Sequence, residues 1–179
     1  RRKHIPAHLK NAARVGQCLK QFAPLIHPTK AIQEKRLSAL LNEALVDKLV
    51  ERVDAVFHLA AAVGVELIIK KPLESMMTNI RGSEVVLEMA HRYRKKVLIS
   101  STSEIYGKNS HQPLREDTDR ILGSPLKTRW SYSTSKAVDE VLAHVYWKEK
   151  GVPTIIVRLF NTVGPRQTGA YGMVIPRFV

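Results

Sequence analysis

The chain alternates three times between a helix-like pattern and a short apolar run, and this order restricts its fold more than any other feature. Apolar residues recur at steps of three and four over residues 37–53, 72–93 and 131–150, which is typical of amphipathic helices. A short apolar run follows each of them, over residues 55–60, 97–101 and 154–160. Strands that alternate with helices predict an α/β fold whose parallel sheet is covered by helices on both faces.

The composition fits a soluble globular protein of one domain. Of the 179 residues, 44% are hydrophobic and 25% are charged. No apolar run approaches the roughly 20 residues that a membrane helix requires, and no secretory signal follows the basic start. Cys18 is the only cysteine, which excludes an intrachain disulfide, and the seven histidines are scattered without metal-ligand spacing. We therefore expect a cytoplasmic protein with no metal and no membrane segment.

Positive charge is concentrated near the start of the chain. The net charge is +13, and residues 1–36 contain nine Lys or Arg but one acid, Glu34. Their broken periodicity leaves their fold unclear, although residues 12–22 could form a short helix. Basic arms can bind nucleic acid, but here few aromatics and no nucleic-acid motif accompany the charge, so such a partner is not expected. The sequence thus divides into a basic segment, residues 1–36, and an α/β domain, residues 37–179.

Small and polar residues follow each predicted strand. They occupy residues 60–62, 101–104 and 161–162. Because ligands of parallel α/β sheets bind beyond the carboxyl ends of the strands, these positions are the first candidates for a binding site.

Tyr132 and Lys136 lie four residues apart near the start of the third predicted helix, so their side chains share one helix face. A positive charge beside a phenol stabilises the phenolate and lowers the pKa of the tyrosine from about 10, which makes it usable as a base. Tyr146 and Lys150 repeat the spacing at the helix end, where a solvent-exposed pair is the simpler interpretation. An exposed helix face is the structural alternative for the first pair too, but that pair also follows the hydroxyl-rich end of the second strand.

Five motifs in preserved order and spacing make a specific combination. They are Phe57-His-Leu-Ala-Ala61, Asn79-x-x-Gly82, Ser100-Ser-Thr-Ser-Glu-Ile-Tyr-Gly107, Tyr132-x-x-x-Lys136 and Arg158-Leu-Phe-Asn-Thr-Val-Gly-Pro165. Through them residues 38–179 resemble the extended short-chain dehydrogenase/reductases, in the group of NAD-dependent nucleotide-sugar epimerases and dehydratases that includes UDP-glucose 4-epimerase. The resemblance implies a Rossmann-like parallel sheet, here partial, with NAD as cofactor and a nucleotide-sugar as substrate. A homodimer is compatible with it.

The resemblance also implies a role for each matching position. Tyr132 resembles the catalytic base, Lys136 the lysine that holds the nicotinamide ribose, and Thr102 the residue that hydrogen-bonds the reacting sugar hydroxyl. With Glu104 these form the expected catalytic set. The expected cofactor-binding residues are Leu59, Ala60, Ala61, Asn79, Ser100, Tyr132, Lys136 and Phe160. The expected substrate-binding residues are Thr102, Ser103, Glu104 and Asn161.

Glu104 leaves more than one reaction open. In this family a carboxylate here is found in dehydratases and in nucleotide-sugar decarboxylases, where it assists steps after the first hydride transfer. Dehydratases usually carry Thr-Asp-Glu, whereas this chain has Thr102-Ser103-Glu104, which counts against a standard dehydratase. Epimerisation and decarboxylation remain open. The structural alternative for Glu104 is a carboxylate that caps the next turn.

One family motif is missing from the sequence. The family has a Gly-x-x-Gly-x-x-Gly loop that seats the cofactor pyrophosphate at a helix N-terminus, whereas the first two glycines here are Gly16 and Gly64. We therefore do not expect residues 1–36 to form that site. The alternative to an enzyme is an inactive or truncated epimerase-like fragment that serves as a binding or interaction module.

Overall fold

The computed structural model describes residues 38–62, 65–161, 164 and 178. Within them the order is α1 (Glu43–Glu51), β1 (Ala55–His58), α2 (Val65–Lys70), α3 (Pro72–Arg92), β2 (Lys96–Thr102), a 3₁₀ helix (Ser103–Tyr106), α4 (Trp130–Lys150) and β3 (Thr154–Leu159). Backbone contacts divide the chain into two units, Arg1–Arg36 and Leu37–Val179. The basic segment and its predicted helix over residues 12–22 lie outside the described residues.

The three described strands form one parallel sheet with β2 in the centre. The register aligns Phe57 with Leu98 and Leu98 with Ile155. Residues 97–101 of β2 are buried without a break, as expected of a central strand with neighbours on both sides and covered faces. The predicted α/β class and the parallel arrangement of the three strands are confirmed.

The hydrophobic core lies where α1, α3 and α4 meet the sheet. Val97 and Ile99 of β2 contact the helices, and Ile99 is fully buried. Burying one such aliphatic side chain contributes about 1.5–3 kcal/mol to folding. The helices contribute Val46, Val50, Val85, Val86, Leu87, Met89, Ala90 and Ala143. This packing fixes α3 and α4 against the sheet, and both helices carry residues of the candidate site.

One predicted helix needs correction at both ends, and one helix was not predicted. The predicted helix over residues 37–53 is interrupted at Asn42, whose Oδ1 accepts a hydrogen bond from Leu45 N at 3.1 Å, so α1 begins at Glu43 and ends at Glu51. Asparagine favours this N-cap position over a helix interior. The periodicity does not predict α2, because its six residues are too few to show a helical period. Pro72 begins α3 and Gly151 ends α4 with φ of +68°, both as predicted.

No described helix combines the length and the apolar composition needed to cross a bilayer.

Candidate active site

The carboxyl ends of the three strands bring the predicted site residues to one edge of the sheet. Thr102 at the end of β2 is aligned with Leu159 at the end of β3, and β1 ends at His58 on the other side of β2. The segments that leave the strands, residues 59–62, 103–106 and 160–161, therefore begin at the same edge.

The 3₁₀ helix turns the chain directly after β2 and carries Ser103 and Glu104. Thr102 Oγ1 accepts a hydrogen bond from Glu104 N at 3.2 Å, so the threonine caps this turn. The group that caps this turn is the Thr102 hydroxyl. Gly107 ends the turn with φ of +64°, a conformation that suits glycine because a side chain would be strained there.

A hydrogen bond connects this turn to the start of α4. Ser133 Oγ donates to the carbonyl oxygen of Glu104 at 2.7 Å, and Ser133 is fully buried. Tyr132, in the first turn of α4, therefore lies beside the turn that carries Glu104. Desolvation raises the pKa of the Glu104 carboxyl, and the guanidinium of Arg129 opposes that shift. Tyr132, Thr102 and Glu104 are thus brought together at one edge.

The pKa of Tyr132 is shifted in the direction opposite to the one predicted from the sequence. Burial raises the pKa of Tyr132 to about 12, and the carboxylates of Glu104 and Asp139 act in the same direction. The sequence argument considered the ammonium of Lys136 and predicted a lowered pKa. That expectation is wrong for this structure, because Tyr132 is half-buried and two carboxylates act on it.

Lys136 points into the interior and is paired there. Its Nζ donates to Asp139 Oδ2 at 2.8 Å, and the two side chains are 2% and 1% exposed. The opposite charge of Asp139 beside Lys136 offsets the charge of the ammonium. Sequence reasoning missed Asp139, although its signal was available as an opposite charge three residues after Lys136 on a helix.

Polar side chains from β1 and α3 lie in the interior beside this pair. His58 Nε2 lies 3.1 Å from Ser83 Oγ. Burial, with a smaller effect of Lys136, lowers the pKa of His58 to about 3, so the imidazole is neutral. Within the described residues, no group of three or more His, Cys, Asp or Glu could hold a metal ion.

Asn79 fastens the segment after β1 to the helices. Its Oδ1 accepts from Ala62 N at 2.6 Å, and its Nδ2 donates to Ala62 O and to Ser135 Oγ, both at 3.3 Å. Asn79 is buried. Its amide therefore positions the backbone of the segment that follows β1.

A match to known proteins identifies this arrangement. Residues 19–179 match the family model described as "NAD dependent epimerase/dehydratase family". The chain belongs to this family. The matched range therefore begins earlier in the chain than residue 38, from which the sequence motifs indicated the resemblance.

Three relatives of the family illustrate the similarity. The UDP-N-acetyl-alpha-D-glucosaminuronate decarboxylase of Bacillus cytotoxicus is 43% identical over 142 residues, which cover 79% of this chain and 44% of that protein. The structure of a UDP-N-acetylglucosamine 4-epimerase from Methanobrevibacter ruminantium has a TM-score of 0.68 at 32% identity, over 77% of this chain and 44% of that one. A UDP-glucose 4-epimerase from Thermotoga maritima has a TM-score of 0.69 at 29% identity, over 78% and 45%. The chain thus spans less than half the length of these relatives.

The remaining residues predicted to face the cofactor divide into exposed and internally bonded groups. Leu59 and Phe160 are 37% and 56% exposed, and Ala60 is exposed beside Leu59. Ser100 is buried and donates from Oγ to the His58 carbonyl at 3.2 Å, which joins β2 to β1. Of the other expected positions, Ala61 is half-buried and Asn161 is exposed. The exposed apolar positions flank the strand ends in this family member.

An ion pair that sequence reasoning missed lies beside the 3₁₀ helix that carries Glu104. Arg158 donates from Nε and Nη2 to the two carboxylate oxygens of Glu140 at 2.9 and 2.8 Å. Its guanidinium also lies 4.9 Å from the centre of the Tyr106 ring, at the end of the 3₁₀ helix. Arg158 belongs to a family motif, but its partner depends on how α4 crosses β3, and the sequence does not show that.

The second Tyr–Lys pair has a different environment from the first. Lys150 is exposed, as predicted, but Tyr146 packs against the hydrophobic core. The prediction of a solvent-exposed pair is therefore wrong for the tyrosine. Tyr146 lies near the opposite end of α4 from Tyr132, which keeps the pair useful as an internal control.

Proposed function

We propose that this protein performs NAD-dependent chemistry on a UDP-linked sugar, with Tyr132 as the base, and that its reaction is the decarboxylation of a UDP-linked uronic acid. The observation that carries the proposal is the hydrogen bond from Ser133 to the Glu104 carbonyl, because it joins the turn with Thr102 and Glu104 to the helix with Tyr132. The relative that is 43% identical is a decarboxylase of a UDP-linked uronic acid by name. The Thr102-Ser103-Glu104 sequence, which lacks the usual aspartate of dehydratases, agrees with that choice.

The strand-end edge suits the nicotinamide half of the cofactor. Leu59, Ala60 and Phe160 offer exposed apolar surface there, and Tyr132 stands on the adjoining helix. Lys136 lies one turn further along that helix, where it is buried against Asp139. The sequence contains no Gly-x-x-Gly-x-x-Gly loop for the pyrophosphate. We therefore assign only the nicotinamide and its ribose to these residues.

Tyr132 and Thr102 would perform the first proton transfer. NAD, when bound, accepts a hydride from the sugar carbon and later returns it. Thr102 Oγ1 accepts from Glu104 N, so its own hydrogen remains available to orient the sugar oxygen. The phenolate of Tyr132 takes the hydroxyl proton from the same carbon, which becomes a ketone.

The ketone then allows the carboxyl group to leave. In a uronic acid the carboxyl group is attached to the ring carbon that neighbours the oxidised carbon. When the bond between that ring carbon and the carboxyl carbon breaks, CO₂ departs. The electron pair of the broken bond moves toward the ketone and forms an enolate. A proton must then reach the carbon that lost CO₂. Glu104 fits this role, because desolvation raises the pKa of its carboxyl and so favours the protonated form. Tyr132 finally returns its proton to the sugar oxygen, with no net oxidation.

Epimerisation is the second candidate reaction. The two structural neighbours with TM-scores of 0.68 and 0.69 are named as 4-epimerases. An epimerase would use Tyr132 and Thr102 in the same way and would return the hydride to the other face of the sugar. It would not need a proton donor at Glu104, and this difference separates the two candidates. A binding module without activity is the remaining alternative. Cytoplasmic location and a homodimer stay predictions.

Incubation of the purified protein with NAD and a panel of UDP-sugars tests the proposal. We expect CO₂ and a UDP-pentose from a UDP-linked uronic acid, and no 4-epimer from UDP-glucose. Conversion of UDP-glucose or UDP-N-acetylglucosamine to the epimer would favour the second reaction. No NAD binding by calorimetry and no product from any sugar would leave the binding module as the function.

A further inference from the structure

A buried ion pair joins Lys136 to Asp139 on the helix that carries Tyr132. Asp139 Oδ2 accepts from Lys136 Nζ at 2.8 Å, and Asp139 is fully buried. The side chain of Ser83, on α3, is a second hydrogen-bonding neighbour of the Asp139 carboxylate. Burial of two charges is costly even when they are paired, so a buried ion pair on this helix needs an explanation.

The charges around the pair come from several elements. His58 on β1 is neutral and bonds to Ser83 of α3. Burial raises the pKa of Asp139, against the lowering effects of Lys136 and of Ser83. The other charged groups near Tyr132 and this pair are Glu104 of the 3₁₀ helix, Arg129 before α4, and Glu140, which is paired with Arg158 of β3. Asp139 is therefore the carboxylate in direct contact with Lys136.

The geometry sets what Asp139 does to Lys136. A long flexible ammonium side chain that lacks a partner reaches for water rather than staying buried. The bond to Asp139 keeps Lys136 in one conformation, one helical turn from Tyr132. The negative charge of Asp139 also offsets much of the positive charge that Lys136 would present to the Tyr132 oxygen.

We propose that Asp139 is a positioning residue that holds the Lys136 ammonium in the interior and sets how strongly this ammonium stabilises negative charge on the Tyr132 oxygen. The inference rests on the proposed function for the use that Tyr132 makes of its charge. The ion pair itself and its effect on Tyr132 do not depend on which sugar is the substrate.

Replacement of Asp139 by Asn removes the carboxylate and keeps the shape of the side chain. The Lys136 charge is then no longer offset, and a carboxylate that raises the pKa of Tyr132 is lost. We expect the pKa of Tyr132 to fall by about one unit in Asp139→Asn, because a neighbouring charge within a few ångströms has an effect of that size. The phenolate fraction at a fixed pH below that pKa then rises about tenfold.

The experiment follows the ring-carbon NMR signal of Tyr132 with pH in isotope-labelled full chain, the signal being assigned with Tyr132→Phe. Glu140→Gln is the matched control, because it also removes a helix carboxylate paired with a basic side chain, one residue further on. Asp139→Glu, which retains the charge, should restore the wild-type titration. A folded Asp139→Asn protein whose Tyr132 titrates as in the wild type, or as in Glu140→Gln, would overturn the proposal.

A second comparison applies if Asp139→Asn does not fold. The proposal then expects the uncharged double variant Lys136→Gln/Asp139→Asn to fold, because loss of one partner of a buried pair is far more damaging than loss of both. Equal unfolding of the single and double variants would show that Asp139 does not act through Lys136. These titrations need no cofactor or sugar, so they can succeed or fail separately from the assay of the proposed function.

Discussion

Ser133 Oγ donates to the carbonyl oxygen of Glu104 at 2.7 Å, across the boundary between α4 and the 3₁₀ helix. This bond fixes the spacing between the segment that carries Tyr132 and the turn that carries Glu104. The Glu104 carbonyl also accepts from Gly107 N at 3.1 Å, so the turn retains one bond when the serine is changed. A substitution of Ser133 can therefore change the position of this turn relative to α4 while the Gly107 hydrogen bond within the turn remains.

Replacement of Ser133 by Ala should lower both stability and turnover. The loss of one buried hydrogen bond costs about 1 kcal/mol of unfolding free energy, and a misplaced turn should reduce kcat by about tenfold. Urea unfolding and steady-state kinetics measure the two effects. Ser131→Ala is the control, since its Oγ donates at the same 2.7 Å but to Thr128 O within the local turn. Equal kinetics for the two variants would show that the Ser133 bond has no part in catalysis.

Replacement of Tyr132 by Phe should remove general base catalysis while the aromatic ring is retained. Losses of this kind are typically about 10²–10⁴-fold in rate. Lys136→Met should be similarly damaging, because it leaves Asp139 buried without its partner. Tyr146→Phe and Lys150→Met are the controls on the same helix, and neither should lower turnover by a comparable factor. Equal activity of Tyr132→Phe and Tyr146→Phe would contradict the assignment of the base.

The activity should rise with pH if Tyr132 is the base. Burial and two carboxylates raise the pKa of Tyr132 to about 12, so its phenolate is scarce at neutral pH and increases tenfold for each pH unit below that value. Since kcat/KM reports on the free enzyme, its logarithm should increase with pH with a slope near one through the neutral and mildly alkaline range. A kcat/KM that does not change with pH from neutral pH upward would count against Tyr132 as a base with this raised pKa.

The sequence predicted the sheet and the edge of the site better than it predicted the charges within the site. The parallel direction of the strands follows from the alternation of apolar runs with helices, because each helix returns the chain to the same end of the sheet before the next strand begins. The predicted bounds at residues 72 and 150 agree with the start of α3 and the end of α4. The interruption at Asn42 was not predicted, because the apolar period continues on both sides of it.

The internal electrostatics depend on contacts that the sequence does not give. Tyr132 and Lys136 share a helix face, and from that spacing a lowered pKa of the tyrosine follows. The structure buries Tyr132, pairs Lys136 with Asp139 and brings Glu104 near from another element. The way α4 crosses the sheet decides which carboxylates lie near Tyr132 and Lys136. The direction of the Tyr132 pKa shift therefore could not be predicted from the residue spacing.

Replacement of Glu104 by Gln should separate the two halves of the reaction. The first half needs Tyr132 and Thr102, and loss of the Glu104 carboxylate removes one cause of the raised pKa of Tyr132. Oxidation of the sugar should therefore continue, whereas delivery of the later proton should slow by about 10²-fold or more. Absorbance of reduced cofactor should then accumulate in a single turnover. Glu116→Gln, an exposed carboxylate in the following loop, is the control. If Glu104→Gln no longer reduced the cofactor, Glu104 would be required for the first hydride transfer rather than for the later protonation.

Stability should fall in acid through His58. Burial lowers its pKa from 6.5 to about 3, so the unfolded chain binds a proton below pH 6.5 that the folded protein does not. The stabilisation is complete above pH 6.5 and is lost as the pH falls to about 3, and at 1.36 kcal/mol for each unit the contribution is about 5 kcal/mol. His58→Gln should flatten this part of the curve of unfolding free energy against pH, measured in urea. His111→Gln, which changes an exposed histidine, should leave the curve unchanged. If the wild type and His58→Gln lose stability in parallel between pH 6.5 and 3, then His58 takes up its proton within the folded protein and the buried neutral imidazole is wrong.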